Sequence, residues 1–272
     1  MDYTVKGGDI LVSTPDFDLD ETLDCGQAFR WKKIDSDYLC TYQGSFYNDE
    51  LTVSKCGEGE FIFHNISEED FLDKWVDYFD FNTDYSELKR MFSEDATLSE
   101  ACKFAGGIRL LRQNSWECLI SFIISQNNNI PRIKGIIDRL CDNYGGMFPD
   151  AEQLSQENAD SLAYLRSGFR AKYLEDAAKR VGSGQTDLSA ISTLPIEEAR
   201  RELKLIKGVG PKVAECILLF GMHRTEAFPI DVWIKRVLGE YYPNGFPEYL
   251  SENAGIAQQY LFHYIRHGVE KN

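Results

Sequence analysis

The chain has 272 residues, 43% of them apolar, and a formal net charge of −15 at pH 7. That is enough for one large domain or two smaller ones with a real core, and no apolar run approaches the roughly 18 residues of a membrane span. The seven cysteines are scattered, odd in number and without a C-x-x-C pair, which argues against a disulfide framework, an iron–sulfur cluster or a zinc site and for a reduced, intracellular (cytoplasmic) setting. The opening MDYTVKGGDI has neither the basic start nor the apolar middle of a secretory signal. The acidity is uneven: residues 1–100 hold 24 acidic against 8 basic side chains. That third reads as a solvated acidic surface, which leaves the near-neutral remainder able to present a basic face to an anion.

In chain order, residues 9–65 read as strands. AFRWKKI (28–34), YLCTYQ (38–43), LTVSK (51–55) and FIFHN (61–65) are short, aromatic or β-branched, and separated by Gly, Asp and Asn turns, so an antiparallel sheet is expected. Helical signals begin at SEEDFLDKWVDYFD (67–80), with a serine cap and acidic residues in its first turn. SWECLISFIIS (115–125) has the same serine start and an apolar density suited to a central buried helix. Further helices are expected over 131–143, 158–166, 170–182, 196–206, 211–221, 232–240 and 253–266. The fold class is therefore α+β: an N-terminal antiparallel sheet domain with flanking helices over 1–105, then a mostly helical body over 106–272. No internal repeat or low-complexity linker is visible.

The segment 196–221 is helix, break, helix. IEEARRELKLI carries apolar residues at helical spacing, KGVG interrupts it, and PKVAECILLFG restarts it. Gly208 and Gly210 permit the positive φ of a tight reversal, and Pro211 suits the first turn of a helix, where its missing N–H has no intrahelical partner anyway. The amides around the two glycines and the positive end of the second helix would face an anion such as a backbone phosphate, a contact independent of base sequence; an ordinary helix–helix turn fits the same letters. Lys212 lies in the first turn of that helix, where the dipole disfavours a cation. The same field, with partial burial, would lower its pKa and make it a nucleophile; a phosphate-contacting lysine, which needs its full charge, remains the other local reading. Asp231, after a proline loop and before a helical pattern, is expected to be an N-cap. A capping carboxylate is held rigidly and kept ionised, and can also stabilise nearby positive charge.

GVGPK followed nineteen residues after its lysine by that aspartate resembles the helix-hairpin-helix (HhH-GPD) DNA glycosylase superfamily. LDCGQAFRW (23–31), GIRLLRQNSWECLISFIISQNNNIPRIKGII (107–137), GFRAKY (168–173) and GIAQQYLF (255–262) narrow the resemblance to the 8-oxoguanine DNA glycosylase branch, over nearly the whole chain. The resemblance implies a bifunctional DNA repair enzyme, a glycosylase and abasic-site lyase, that flips 8-oxoguanine out of duplex DNA. Lys212 would attack C1′, displace the base and cut the strand through a Schiff base, and Asp231 would stabilise the oxocarbenium-like charge. Gly26 would accept the N7–H that guanine lacks, Phe262 and Cys216 would sandwich the base, and Gln258 would read its Watson–Crick edge. Asn127, Arg132 and Arg170 would read the widowed cytosine, and Phe169, where the family often has tyrosine, would fill the vacated stack. Gly208 and Gly210 would hold a phosphate. Trp233 departs from the pattern, since the eukaryotic members have histidine there; its N–H can replace only a hydrogen bond.

The partner implied is double-stranded DNA carrying 8-oxoguanine opposite cytosine, bound by a monomer with no membrane role. No catalytic metal or cofactor is required, though hairpin carbonyls of this family can hold a cation. Two rival readings stand beside this one: a glycosylase for alkylated bases, and a non-catalytic module that binds damaged DNA.

Overall fold

The computed structural model describes residues 1–268. They form two compact units: Met1–Arg112 together with the chain from Ile230 onward, and Gln113–Pro229. The first unit is built on strands β1 (Asp2–Lys6), β2 (Asp9–Ser13), β3 (Lys32–Lys33), β4 (Cys40–Phe46), β5 (Asp49–Gly57) and β6 (Glu60–His64). They pair antiparallel throughout in the order β1-β2-β6-β5-β4-β3. Alternation puts Ile10 and Val12 of β2 opposite Phe63 and Phe61 of β6, all four buried, which fixes the register because a one-residue slip would turn them to solvent.

Against that face packs the 67–80 segment, capped by Ser67 as the sequence suggests. Its middle, Phe71–Trp75, is a π-helical turn with both end residues buried. Two differences from the sequence reading arise here. AFRWKKI contributes only Lys32–Lys33 to the ladder. Trp31 is instead fully buried, donates through Nε1 to Tyr78 OH at 2.6 Å, and lies so close to β4 that a Cβ on Gly44 would sit 2.3 Å from its ring. Strand β1 was not expected; it is an exposed edge strand whose polar letters carry little apolar signal.

Arg109 and Arg112 of GIRLLR belong to the fabric of this unit. Arg109 is buried between the rings of Phe81 and Tyr85. It donates to the carbonyls of Asp16 and Asp80, at 2.7 Å each. Arg112 pairs at 2.9 Å with the fully buried carboxylate of Asp80. The helices Tyr85–Phe92 and Ala96–Phe104, opened by Asp84 and Asp95 as caps, were not expected.

The mostly helical body expected over 106–272 contributes to both compact units. The helices Val232–Tyr241 and Ala254–His267 return to the sheet-bearing unit. Tyr260 donates to Ile108 O at 3.0 Å, Tyr242 to Asp95 Oδ1 at 2.7 Å, and Phe104 meets Tyr264 edge-on. These are contacts between residues far apart in sequence, which periodicity does not report.

The second unit is helical. Its central helix is Ser115–Ser125, as expected, with Cys118 through Ile124 all buried. Asn114 rather than Ser115 caps it, because the Ser115 hydroxyl donates to Gly221 O at 2.6 Å. Around it lie Ile130–Asp142, Ala171–Gly182 and Ile196–Leu203, within a few residues of the ranges expected. The helix expected at 158–166 is only a 3₁₀ segment, Ser161–Leu165. Asn158 Oδ1 accepts from the amides of Asp160 and Ser161, which diverts the chain into an Asx turn. Among the described residues no helix is long and apolar enough to cross a membrane, and none of the seven cysteines is in a disulfide.

Candidate active site

In the second unit the hairpin is closed by pairing between its arms. Arg200 on the first helix grips Glu215 on the second through Nε–Oε1 at 2.6 Å and Nη2–Oε2 at 2.9 Å. Such a bidentate pair fixes orientation as well as distance. Glu215 Oε2 also accepts from Phe228 N at 2.9 Å and so ties in the following loop. The turn itself corrects the sequence reading. Only Gly208 has positive φ, at +86°. Gly210 is extended (φ −88°, ψ −179°), because it is the N-cap of Pro211–Cys216 and an N-cap must lie outside the helical region. It supplies no side-chain cap, so the opening amides of the helix keep their affinity for an anion. Gly208 is packed on Tyr173: a Cβ there would meet the ring at 2.4 Å.

Lys212 occupies the second position of that helix and is half-buried. Its Nζ stands 5.5 Å from the centroid of Phe122 on the central helix. Phe122 is in turn stacked on Phe220, 5.1 Å away at 14°, a ring that belongs to the π-helical turn Ile217–Gly221 following the Lys212 helix. The expected single helix over 211–221 thus changes register after Cys216. Gly221 meets the central helix closely enough that a Cβ would lie 2.9 Å from Cys118 Cβ. Among the described residues Lys212 has no ion-pair partner. Its amine therefore rests on an aromatic wall, uncommitted to a carboxylate. Cys216, one turn further on, is 2% exposed. Phe122 was not singled out from the sequence; its spacing in an apolar helix marks only a core residue.

The NNN run divides its labour. Asn127 takes a left-handed conformation (φ +48°), Asn128 Nδ2 donates back to Ile124 O at 3.1 Å, and Asn129 caps Ile130–Asp142 by accepting from Arg132 N. Asparagine suits each role. Arg132 is exposed, with Nη2 3.4 Å from Arg166 O. Arg170 is 3% exposed: it donates through Nε to Gln126 O at 2.9 Å and through Nη1 to Ser167 O at 3.0 Å. Its Nη2 bonds Gln126 O and also Asn127 O, the latter at 3.1 Å. These bonds tie Arg170, expected to face the opposite base, to the carbonyls of the 126–127 loop. Burial first, and then the neighbouring Arg132, hold its pKa below the usual guanidinium range. Phe169 projects, 53% exposed, with the Arg170 guanidinium 4.5 Å from its ring and Tyr173 edge-on at 5.7 Å.

In the first unit Asp231 is the N-cap of Val232–Tyr241, as expected. Its Oδ1 accepts from Trp233 N at 3.0 Å and Ile234 N at 2.8 Å, leaving Oδ2 outside the cap. Trp233 thus supplies a backbone donor to Asp231. Gly26 has φ +91°, a conformation that side chains resist. It is flanked by two anchored residues. Gln27 donates to Thr22 O and Arg109 O and accepts from Leu111 N. Cys25 Sγ lies 3.9 Å from Gln259 Oε1 on the Ala254–His267 helix. Gln258, beside it, is 3% exposed, so this unit brings Gly26 and Gln258 into one neighbourhood. Phe262, one turn further along, is half-buried with Arg266 5.8 Å from its ring.

Comparison with known proteins supplies the lineage. Residues 9–119 match the family model for the 8-oxoguanine DNA glycosylase N-terminal domain, and residues 120–248 match that for HhH-GPD superfamily base excision DNA repair proteins. The N-glycosylase/DNA lyase of Saccharomyces cerevisiae is 30% identical over 266 residues, covering 85% of this chain and 70% of the yeast protein. The Clostridium acetobutylicum 8-oxoguanine glycosylase/lyase, solved with double-stranded DNA containing cytosine opposite 8-oxoG, is 36% identical. It superposes with a TM-score of 0.90 over 99% of this chain and 100% of that one. MBOgg1, solved with a low-affinity DNA ligand, is 40% identical, with a TM-score of 0.89 over 98% of this chain and 99% of its own. Two family models together spanning residues 9–248, and relatives similar over most of their own length, give one answer: this chain belongs to the 8-oxoguanine DNA glycosylase/lyase family of the HhH-GPD superfamily.

Proposed function

We propose that this protein excises 8-oxoguanine from duplex DNA, opposite cytosine, and then cuts the resulting abasic strand, acting as a monomer within the cell. The observation that carries the chemistry is Lys212: a half-buried primary amine at a helix start, against Phe122 and without a carboxylate partner among the described residues. A primary amine in its neutral form is a nucleophile.

The steps follow from that amine. Its lone pair forms a bond to C1′ as the C1′–N9 bond breaks and the base leaves. The attacking nitrogen gives up one proton to the departing base, and the covalent aminal then opens by cleavage of C1′–O4′, O4′ taking a proton to become the C4′ hydroxyl and C1′ becoming a protonated Schiff base with the lysine nitrogen. That cation acidifies the 2′ carbon, so loss of a 2′ proton expels the 3′ phosphate. No cofactor is needed. Positive charge builds at C1′ as the base departs, and Asp231, held by its cap bonds with Oδ2 outside the cap, is suited to stabilise it. Gly26 O accepts the N7–H of the oxidised base; guanine would place two acceptors face to face there. Gln258 reads the Watson–Crick edge, with Phe262 and Cys216 against the faces of the base. The hairpin at Gly208 and Gly210 holds a backbone phosphate. Exposed Arg132 and Phe169 meet the opposite strand, while Arg170 keeps the Asn127 loop in shape.

Borohydride reduction tests this directly. Reduction of a productive complex fixes the Schiff base as a stable protein–DNA adduct, and Lys212→Gln is expected to abolish the adduct while retaining duplex binding. An adduct that survives this substitution sinks the assignment. A module that only binds damage gives no adduct with the unaltered protein, and an enzyme for alkylated bases releases those in preference to 8-oxoguanine.

A further inference from the structure

We propose that Gln259 is a positioning residue for base selection: it fixes which end of the Gln258 carboxamide is offered to the extruded base. The proposal rests on the base-reading role of Gln258 given above. Gln258 and Gln259 are adjacent on the Ala254–His267 helix and are 3% and 5% exposed. Gln259 Nε2 donates to Gln258 Oε1 at 2.7 Å. At its other end Gln259 Oε1 faces Cys25 Sγ at 3.9 Å, where it shares the single thiol proton with Thr22 O, 3.4 Å from the sulfur. A chain of polar contacts therefore runs from the turn beside Gly26, through Gln259, to Gln258.

The chemistry of carboxamides makes this chain selective. The two ends of a glutamine amide are alike in shape and opposite in hydrogen bonding. With its NH₂ offered to O6 and its carbonyl to N1–H, the group complements a guanine-type edge. Turned over, it complements an adenine-type edge, which carries a donor at N6 and an acceptor at N1. An amide free to turn would accept both. Here a turn of Gln258 alone would set two NH₂ groups against each other in a buried site, and an unsatisfied buried donor is disfavoured. The carbonyl of Gln258 has a second lone pair, so it can accept from Gln259 and from N1–H together. Gly26 then senses oxidation at N7, and Gln258, held by Gln259, senses the purine type.

The test is single-turnover excision from duplexes carrying 8-oxoguanine or 8-oxoadenine at the same site. It compares the unaltered protein with Gln259→Met, Gln259→Glu and Gln258→Met. Methionine removes the donor, and a carboxylate can only accept, which turns the NH₂ of Gln258 toward it. Cleavage of a preformed abasic duplex needs no base contact and reports folding and lyase chemistry. In both Gln259 variants the 8-oxoguanine to 8-oxoadenine rate ratio is expected to fall by about tenfold or more, with abasic cleavage within about twofold of normal. An unchanged ratio in a Gln259 variant that still cuts the abasic duplex overturns the proposal. Loss of abasic cleavage in both also overturns it, since Gln259 would then be holding the fold. If Gln258→Met collapses the ratio while the Gln259 variants keep it, only the positioning role fails. If Gln258→Met leaves the ratio intact, the base-reading role of Gln258 fails with it.

Discussion

Replacing Gly208 with alanine separates the two glycines of the hairpin, which look equivalent as letters. At φ +86° an L-residue is disfavoured by about 1–2 kcal/mol. The new Cβ would also stand 2.4 Å from two ring carbons of Tyr173 and 2.9 Å from a third. The ring must retreat by about 1 Å, and overpacking of this kind typically costs about 1–3 kcal/mol. The sum, about 2–5 kcal/mol, is a large share of a domain's stability. Gly210→Ala is the control: its φ is −88° and nothing lies within 4 Å of its Cβ. Alanine is a poorer N-cap than glycine, so a loss of about 1 kcal/mol or less is expected. Urea unfolding at constant m-value gives both numbers, and duplex affinity measured beside them follows the hairpin. Because Tyr173 touches Phe169 edge-on, Gly208→Ala should also disturb the Phe169 wedge. In the double variant with Tyr173→Ala the overlap is gone, so only the φ penalty of about 1–2 kcal/mol should remain on that background. Equal losses for the two glycines, or no relief from removing the Tyr173 ring, would refute this account of the turn.

Two further outcomes concern the sheet-bearing unit. Arg112→Met should destabilise the protein by about 3 kcal/mol, because it strips the ion-pair partner at 2.9 Å from a fully buried Asp80 carboxylate; the Asp80→Asn/Arg112→Met double variant should recover part of that loss in denaturant titrations. His263 gives a pH dependence: burial first, then His267 and Arg266, lower its pKa to about 4. The unfolded chain, with an ordinary value of 6.5, binds more protons between those limits, so stability is lost as pH falls from 6.5 toward 4. The imidazole is partly open to screening solvent, so the loss amounts to about 1–2 kcal/mol. His263→Gln should flatten the denaturation midpoint across that window, and an unchanged slope would remove His263 as its source.

What the letters determined was local. Gly210 before Pro211 and the apolar run beyond it force a helix to begin at Pro211, and Asp231 before VWIKRVLG forces a cap; both depend on neighbours within one helical turn. The buried central helix was legible because 118–124 is apolar at every position but Ser121. Tertiary packing decided the rest. Only the approach of Tyr173 shows why position 208 must be glycine, and only the carbonyls of 126 and 127 show that Arg170 faces inward. The return of the last helix to the sheet unit, through Tyr260 and Ile108, carries Gln258 and Gln259 to the turn at Gly26. Those partners are more than a hundred residues apart in the chain. A local pattern states which face of a helix is apolar, but not which distant surface covers it.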